Sequence, residues 1–397
     1  MHALTVVPLL LALPTHAQGR VEVTVPKGKA TGAESKILRA SLVAEDAGAA
    51  RLMTRAWEVR VDTAVERGLS WLARTQNAKG FWAGVVGDKT RHDYVPLRSI
   101  AEQRHDGTGH LGVTALCGMA FLAGGHLPKR GKYGSNVQKA MDATLSCIRE
   151  NGIITVAGSR MYSHAFATLF LAEVYGMARN RRIREGLEKA THIIVDSQNH
   201  QGGWRYNAFS RDSDLSITVC QLQALRAARN IGIQIPKSTI DRAVAYVKRS
   251  RINYGRYQGR YRYKPSGRNS KTNQYSIQAA AVTSLVSAGV YDRELIEPVM
   301  DFLAEEMPNV SHRWPHHFYF WYGNYYACQV FFHCDGVVAE GCFPRYFHRM
   351  RDHLLADQEQ DGRWQNPQYQ GPGDAFGTAV ACIILQIPKQ YLPIFQR

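Results

Sequence analysis

Two kinds of helical stretch alternate along the chain. The first kind is amphipathic, with apolar residues three and four apart and charges between them: "AVERGLSWLART" (64–75), "REGLEKATHIIVDS" (184–197) and "RYFHRMRDHLLAD" (345–357). The second kind is apolar nearly all round: "HLGVTALCGMAFLAGG" (110–125), "LSITVCQLQALRAARNIG" (215–232) and "AFGTAVACIILQIP" (375–388). Three further pairs repeat the alternation. "NVQKAMDATLSCIRENG" precedes "YSHAFATLFLAEVYGMA", "STIDRAVAYVKRS" precedes "SIQAAAVTSLVSAG", and "ELIEPVMDFLAEEM" precedes "FYFWYGNYYACQVFFH". A helix with one polar face belongs on the outside, and a helix without one is buried on every side. Six such pairs predict an all-α fold with an outer and an inner ring, an α/α toroid over 58–397. An open superhelix would leave a solvent face on the second helices, and they carry none.

A short frame marks three of the joints. "QNAKGFW" (76–82), "QNHQGGW" (198–204) and "QEQDGRW" (358–364) each leave an amphipathic helix through Gln-x-x-x-Gly-x-Trp. Gln76, Gln198 and Gln358 stand where a side-chain amide can satisfy free helix-end groups. The glycines permit a left-handed helix exit. Trp82, Trp204 and Trp364 can fold back as apolar plugs, each with one N–H to place. The frame therefore reads as a structural staple, and the chemistry has to be sought elsewhere.

Sequence order supplies the place. In an alternating toroid all inner helices start at one end, so residues at those starts ring a single mouth. They are His110, His164, Asp212 with Asp214, Gln274, His316 with His317, and Asp374. The competing role for such residues is capping of free backbone N–H groups. Tyr322, Tyr325 and Tyr326 share one face of an inner helix at three- and four-residue spacing, where ring faces can line the lumen or pack the core.

Charge and composition adjust this picture. The 397-residue chain carries a formal +16, which favours anionic partners or simply a solvated basic surface. The basic stretch 249–271, "RSRINYGRYQGRYRYKPSGRNSK", interleaves Arg and Lys with Tyr254, Tyr257, Tyr261 and Tyr263 and holds no acid. It is a candidate surface for an anionic polymer. "MHALTVVPLLLALPTHA" (1–17) reads as a secretion signal, followed by a lead-in over 18–57; export argues against nucleic acid as the partner. No later stretch is long and apolar enough to span a bilayer. Five of the seven cysteines sit in apolar helical runs, while Cys334 and Cys342 are close enough in sequence to bridge.

The three Gln-x-x-x-Gly-x-Trp frames on six helix pairs resemble the repeat family of squalene and other terpene cyclases and the β subunits of protein prenyltransferases. Stretches such as "YSHAFATLFLAEVYGMA", "QNHQGGWRY" and "GTAVACIILQIPKQYLPIFQR" look like exported bacterial members with a single toroid. The resemblance covers about residues 60–390. It implies handling of an isoprenoid or other hydrophobic small molecule or lipid. In its enzymatic version a buried, protonated Asp starts cyclisation. "DSDLS" would then place Asp212 and Asp214 on the first two acids of an Asp-x-Asp-Asp motif, with Asp214 as proton donor and Asp374 as a further mouth acid. Leu215 replaces the third acid, and the chain has no room for the second barrel of triterpene cyclases. The zinc-binding Asp-x-Cys signature of prenyltransferases is missing, so neither metal nor cofactor is expected. The rival function is an exported binding or scaffold protein for a lipid, a peptide or an anionic polymer.

Overall fold

A computed structural model describes residues 55–90, 93–266, 274–307, 319–366 and 372–396. Residues 1–17 and all but the end of 18–57, read above as signal and lead-in, lie outside the described residues. So do His316, His317 and 267–271 of the basic stretch. Glu58–Arg397 form one compact unit. Its outer helices are α1 (58–75), α4 (Gly134–Ser146), α6 (Arg181–Asp196), α8 (Lys237–Arg249), α10 (Arg293–Glu306) and α12 (Cys342–Asp357). The inner ones are α3 (Leu111–Ala123), α5 (Met161–Met177), α7 (Leu215–Asn230), α9 (Tyr275–Ser287), α11 (Phe320–Cys334) and α13 (Asp374–Gln386). Each inner helix packs on the next, and α13 packs back on α3, so the ring closes. The predicted α/α toroid is the observed fold.

The two helix types differ as their sequences require. Every residue of α3 is buried, whereas α6 buries a stripe from Ile183 through Leu187 and Ala190 to Ile194 and exposes its charges. The amphipathic pattern did not foresee one insertion between α1 and α3. A two-stranded antiparallel hairpin, β1 (Val86–Thr90) with β2 (Asp93–Arg98), leads into a short helix α2 (Ile100–Asp106). Ser99 and Glu102 close that helix's first turn as a reciprocal capping box.

The repeated frame has one geometry at all three joints. The Trp indole N–H donates to a carbonyl in the last turn of its own outer helix: Trp82 to Leu72 (2.8 Å), Trp204 to Ile194 (2.7 Å) and Trp364 to Leu354 (2.8 Å). These carbonyls lie where a helix runs out of backbone donors, although Leu72 also accepts the Gln76 N–H (3.2 Å). The Gln amide bridges the frame's own Gly carbonyl and a carbonyl of the next outer helix, in its first turn for Gln76 and Gln198 and further along α1 for Gln358. Gln76 reaches Asn136, Gln198 reaches Thr239, and Gln358 reaches Ala64. The Trp backbone N–H donates to a threonine on the first turn of the following inner helix, Thr114, Thr218 or Thr378. Gly202 has φ +88° and lies against the Arg242 carbonyl, so a Cβ would collide there.

Two further joints carry the same device in altered residues. In Ile148–Ile154, Gly152 has positive φ and its neighbour is the Lys189 carbonyl. Ile154 takes the Trp place, and its N–H donates to His164 Nδ1 (3.0 Å) where the others meet threonine. At the α8–α9 joint Gly259 also has positive φ. Tyr261 takes the Trp place there, donating its N–H to Gln278 Oε1 (2.9 Å) and its hydroxyl to the Leu295 carbonyl. Neither contains Trp, so neither joint shows the Gln-x-x-x-Gly-x-Trp frame in the sequence.

Side chains from facing inner helices meet across the ring. Near the mouth Tyr162 of α5 lies edge-on to Tyr322 of α11, with ring centres 6.2 Å apart; one turn deeper Phe166 meets Tyr325 at 5.8 Å. Deeper still, Gln223 of α7 donates to Gln329 of α11. The lumen is therefore filled at successive levels, not an open funnel. All seven cysteines are buried, and none is joined in a disulfide. The bridge considered for Cys334 and Cys342 is not formed, and the Cys342 thiol instead points to the Phe331 carbonyl (3.3 Å).

Candidate functional site: the toroid mouth

Asp214 occupies the N-cap of α7 and is completely buried. One carboxylate oxygen accepts the Ile217 N–H (3.0 Å) and the Ser216 hydroxyl (2.6 Å). The other is ion-paired with the Arg205 guanidinium, which follows Trp204 directly. Burial works against the charge on Arg205, but Asp214 and nearby tyrosine oxygens more than offset it and hold the guanidinium charged. Asp212 is half exposed, pairs with Lys264 (2.5 Å) and lies 3.4 Å from Arg205. Lys264 and its hydrogen-bonded neighbours hold the Asp212 carboxyl below the usual range, although partial burial pulls the other way. The two acids that the resemblance casts as a proton-donating pair thus each face a basic partner, Arg205 at Asp214 and Lys264 at Asp212.

Around this pair lies a floor of tyrosines. The sequence pointed to Tyr322 as a lumen residue and to Tyr263 only within the basic stretch, and did not single out Tyr162, Tyr206 or Tyr319. Tyr162 donates to Ser216 Oγ (2.7 Å), and Tyr322 donates to the Ser216 carbonyl (2.9 Å). The Tyr206 and Tyr263 hydroxyls share a hydrogen bond of 2.8 Å, and Arg205 also donates to Tyr263 (3.3 Å). Arg160 and Arg205 both sit over the Tyr206 ring, at 5.6 and 4.3 Å from its centre. Burial pushes the Tyr162, Tyr206, Tyr263 and Tyr322 hydroxyls upward and Tyr319 to about 12, so all stay protonated donors at neutral pH. Tyr162, Tyr206, Tyr263, Tyr319 and Tyr322 are only partly covered, so this floor faces the mouth. A hint was present in "WRY", where Arg205 and Tyr206 directly follow a staple Trp, but contacts with α5 and α11 are invisible in one sequence.

The other expected site residues are placed as follows. His110 caps α3 by accepting the Val113 N–H, and burial lowers its pKa to about 4. His164 is engaged at both ring nitrogens, accepting from Ile154 and contacting the Ala190 carbonyl (3.1 Å), and burial lowers it also to about 4. Gln274 stands at the N-cap of α9 without capping it, and its Oε1 is buried with no hydrogen-bond partner among the described residues. Asp374, in the first turn of α13, stands across the ring from Asp214. It accepts the Asn366 N–H (2.8 Å) and pairs with Arg363 (3.1 Å), while burial raises its pKa. Tyr325 and Tyr326 lie deeper, packed on each other, with the Tyr326 hydroxyl on the Cys220 sulfur (3.0 Å). In the basic stretch, Arg251 pairs with Glu294, Arg260 packs on Phe302, and Tyr261 is buried; Tyr254 remains exposed. Among the described residues no group of His, Cys, Asp and Glu is arranged to hold a metal, and no helix is long and apolar enough to cross a membrane.

No family model and no curated relative matches the sequence. Among solved structures, the type II terpene cyclase MstE from Scytonema is similar at 13% identity, covering 84% of this chain and 99% of that one, with a TM-score of 0.52. A variant of it in complex with its substrate geranylgeranyl dihydroxybenzoate gives 13% and 0.55 over 85% of this chain and 99% of that one. An unsaturated glucuronyl hydrolase specific for heparin is as similar, at 13% identity and TM-score 0.55 over 84% and 96%. At such identities the likeness is one of architecture: this chain is an α/α toroid of the kind shared by terpene cyclases and glycoside-cleaving enzymes.

Proposed function

We propose that this protein binds a hydrophobic, ring-bearing ligand at the toroid mouth, on the tyrosine floor, and holds it without cyclising it through Asp214. The observation that carries this reading is how Asp214 is engaged. One oxygen caps α7 and the other pairs with Arg205, so both are taken by the protein's own groups. Acid-initiated cyclisation instead needs a carboxyl placed to hand a proton to the ligand. The filled lumen adds support, because a long prenyl chain needs apolar space to fold in. Partly covered tyrosine rings offer flat apolar faces, their hydroxyls serve a polar edge, and Arg160 and Arg205 suit a carboxylate. A prenylated hydroxybenzoate, the type of molecule seen with MstE, combines these features. On this reading the leader at 1–17 sends the protein out of the cytosol, and mature protein from fractionated cells should begin near residue 18.

A second reading, acid-initiated cyclisation with Asp214 as donor, is favoured by the likeness in fold to a type II terpene cyclase. One experiment separates the two. The purified protein is incubated with geranylgeranyl dihydroxybenzoate and with a total lipid extract, and retained and converted compounds are identified by chromatography and mass spectrometry. Retention of unchanged ligand, weakened roughly fivefold in Tyr206→Ala by loss of about 1 kcal/mol of ring contact, is the expected result. A new isomer of equal mass that disappears in Asp214→Asn would establish the cyclase instead. No retention of either would remove the mouth as a hydrophobic site.

A further inference from the structure

The end of the toroid opposite the mouth is covered by the chain's own C-terminal segment. After α13 the chain makes two 3-10 turns, Ile387–Lys389 and Pro393–Phe395, and Ile387, Leu392, Ile394 and Phe395 are all buried. Pro393 seats against Gly176, where a Cβ would come within 3.2 Å of it, and the Phe395 ring meets Phe332 of α11 at 6.3 Å. Lys389 ties the start of the segment to Asp62 of α1 (2.7 Å). In its middle the Ile394 N–H donates to Glu173 Oε2 on α5 (3.1 Å). Glu173 is the one acid on its inner helix, 1% exposed, with no ion pair among the described residues.

We propose that the C-terminal segment is a proton-linked plug of the toroid's base, latched while the Glu173 carboxyl is neutral and loosened when that carboxyl ionises. The groups that face Glu173 are few: Arg226 from α7, the Tyr325 hydroxyl from α11 and the Ile394 N–H from the segment itself. Burial dominates and pushes the carboxyl up to about 8, with the Ile394 N–H and Arg226 pulling the other way. Arg226 is itself lowered by burial, and no ion pair joins it to Glu173 among the described residues. Once the segment leaves, the carboxyl meets water and returns toward its ordinary value near 4.5. Undocking therefore releases a proton between those two values, and docking weakens about tenfold per pH unit across that window. Above about 8 both states are ionised and the dependence ends. The plug is tightest in acid and loosens through neutrality.

Hydrogen exchange of the full-length protein tests this, read on the peptide covering 387–396 from pH 5 to 9 and corrected for intrinsic exchange. Protection should fall about tenfold per pH unit up to about 8 and then level off. Glu173→Gln, which keeps the size and an acceptor but cannot ionise, should show protection independent of pH. A flat profile in the parent protein overturns the proposal whatever the variant does. An unchanged slope in Glu173→Gln overturns it as well, since the proton would then belong to another group.

Discussion

Asp214 shows how one side chain can satisfy two descriptions until its neighbours are known. As a residue near the start of an inner helix it fits a proton donor and a helix cap equally well. The cap is what the structure shows, with Arg205 taking the remaining oxygen. This division has separable consequences. Asn caps helices as well as Asp, so Asp214→Asn should lose the ion pair and retain the turn. Arg205→Ala would leave a fully buried carboxylate without its partner, a change that costs about 3–5 kcal/mol in comparable settings. Urea unfolding of the two variants should rank them in that order; equal or reversed losses would mean that Arg205 is not what balances the Asp214 charge.

The joint between an outer and an inner helix is the unit that repeats. Its parts are a glycine at positive φ, a large side chain folded back, and a first-turn acceptor on the inner helix. Gly202→Ala tests the first part. A left-handed backbone costs a non-glycine residue about 1–2 kcal/mol, and the overlap with the Arg242 carbonyl should bring the loss to about 2 kcal/mol or more in denaturant titration. His164 tests the third. Its pKa of about 4 lies below the ordinary 6.5, so the unfolded chain takes up a proton first as pH falls. Stability from this residue is complete above 6.5 and is lost on descending toward 4, by about 3 kcal/mol at most. His164→Thr, which installs the acceptor found at Thr114, Thr218 and Thr378, should flatten that part of the stability curve. His110, also lowered to about 4, keeps its own share of the acid loss, so a loss undiminished in the variant would mean that His164 is not a source.

For the molecule as a whole, ring closure and lumen filling decide what the toroid can hold. α13 returns to α3 and closes the ring, while Tyr162, Phe166, Tyr322 and Tyr325 occupy the space inside its first turns. Phe166→Ala should open a cavity there at a cost of about 3–5 kcal/mol, seen as a fall in melting temperature. A negligible shift would imply that the ring is not packed against Tyr325. The variant also probes function: wider lumen space should admit a longer apolar tail and strengthen retention of prenylated ligands relative to short ones.

The fold was legible in the chain because each helix declares its own surroundings. A stripe of apolar residues on α6 requires one buried face, and the all-apolar α3 requires burial on every side. Six alternations of the two leave a double ring as the way to satisfy both. The three Trp frames were legible too, since Trp and Gly at fixed spacing carry a local geometry. Ile154 and Tyr261 were not, because their equivalence lies in a backbone hydrogen bond and not in residue type. The mouth was located from helix order alone. Its chemistry was not, since Arg205 reaches Asp214, and Tyr162 and Tyr322 meet at Ser216, only once α5, α7 and α11 converge. Sequence determines which faces must be buried, because hydrophobic burial acts residue by residue. Which polar groups pair inside, and whether a ring encloses a cavity or a core, depends on distances between remote helices, and the tertiary structure alone decided that.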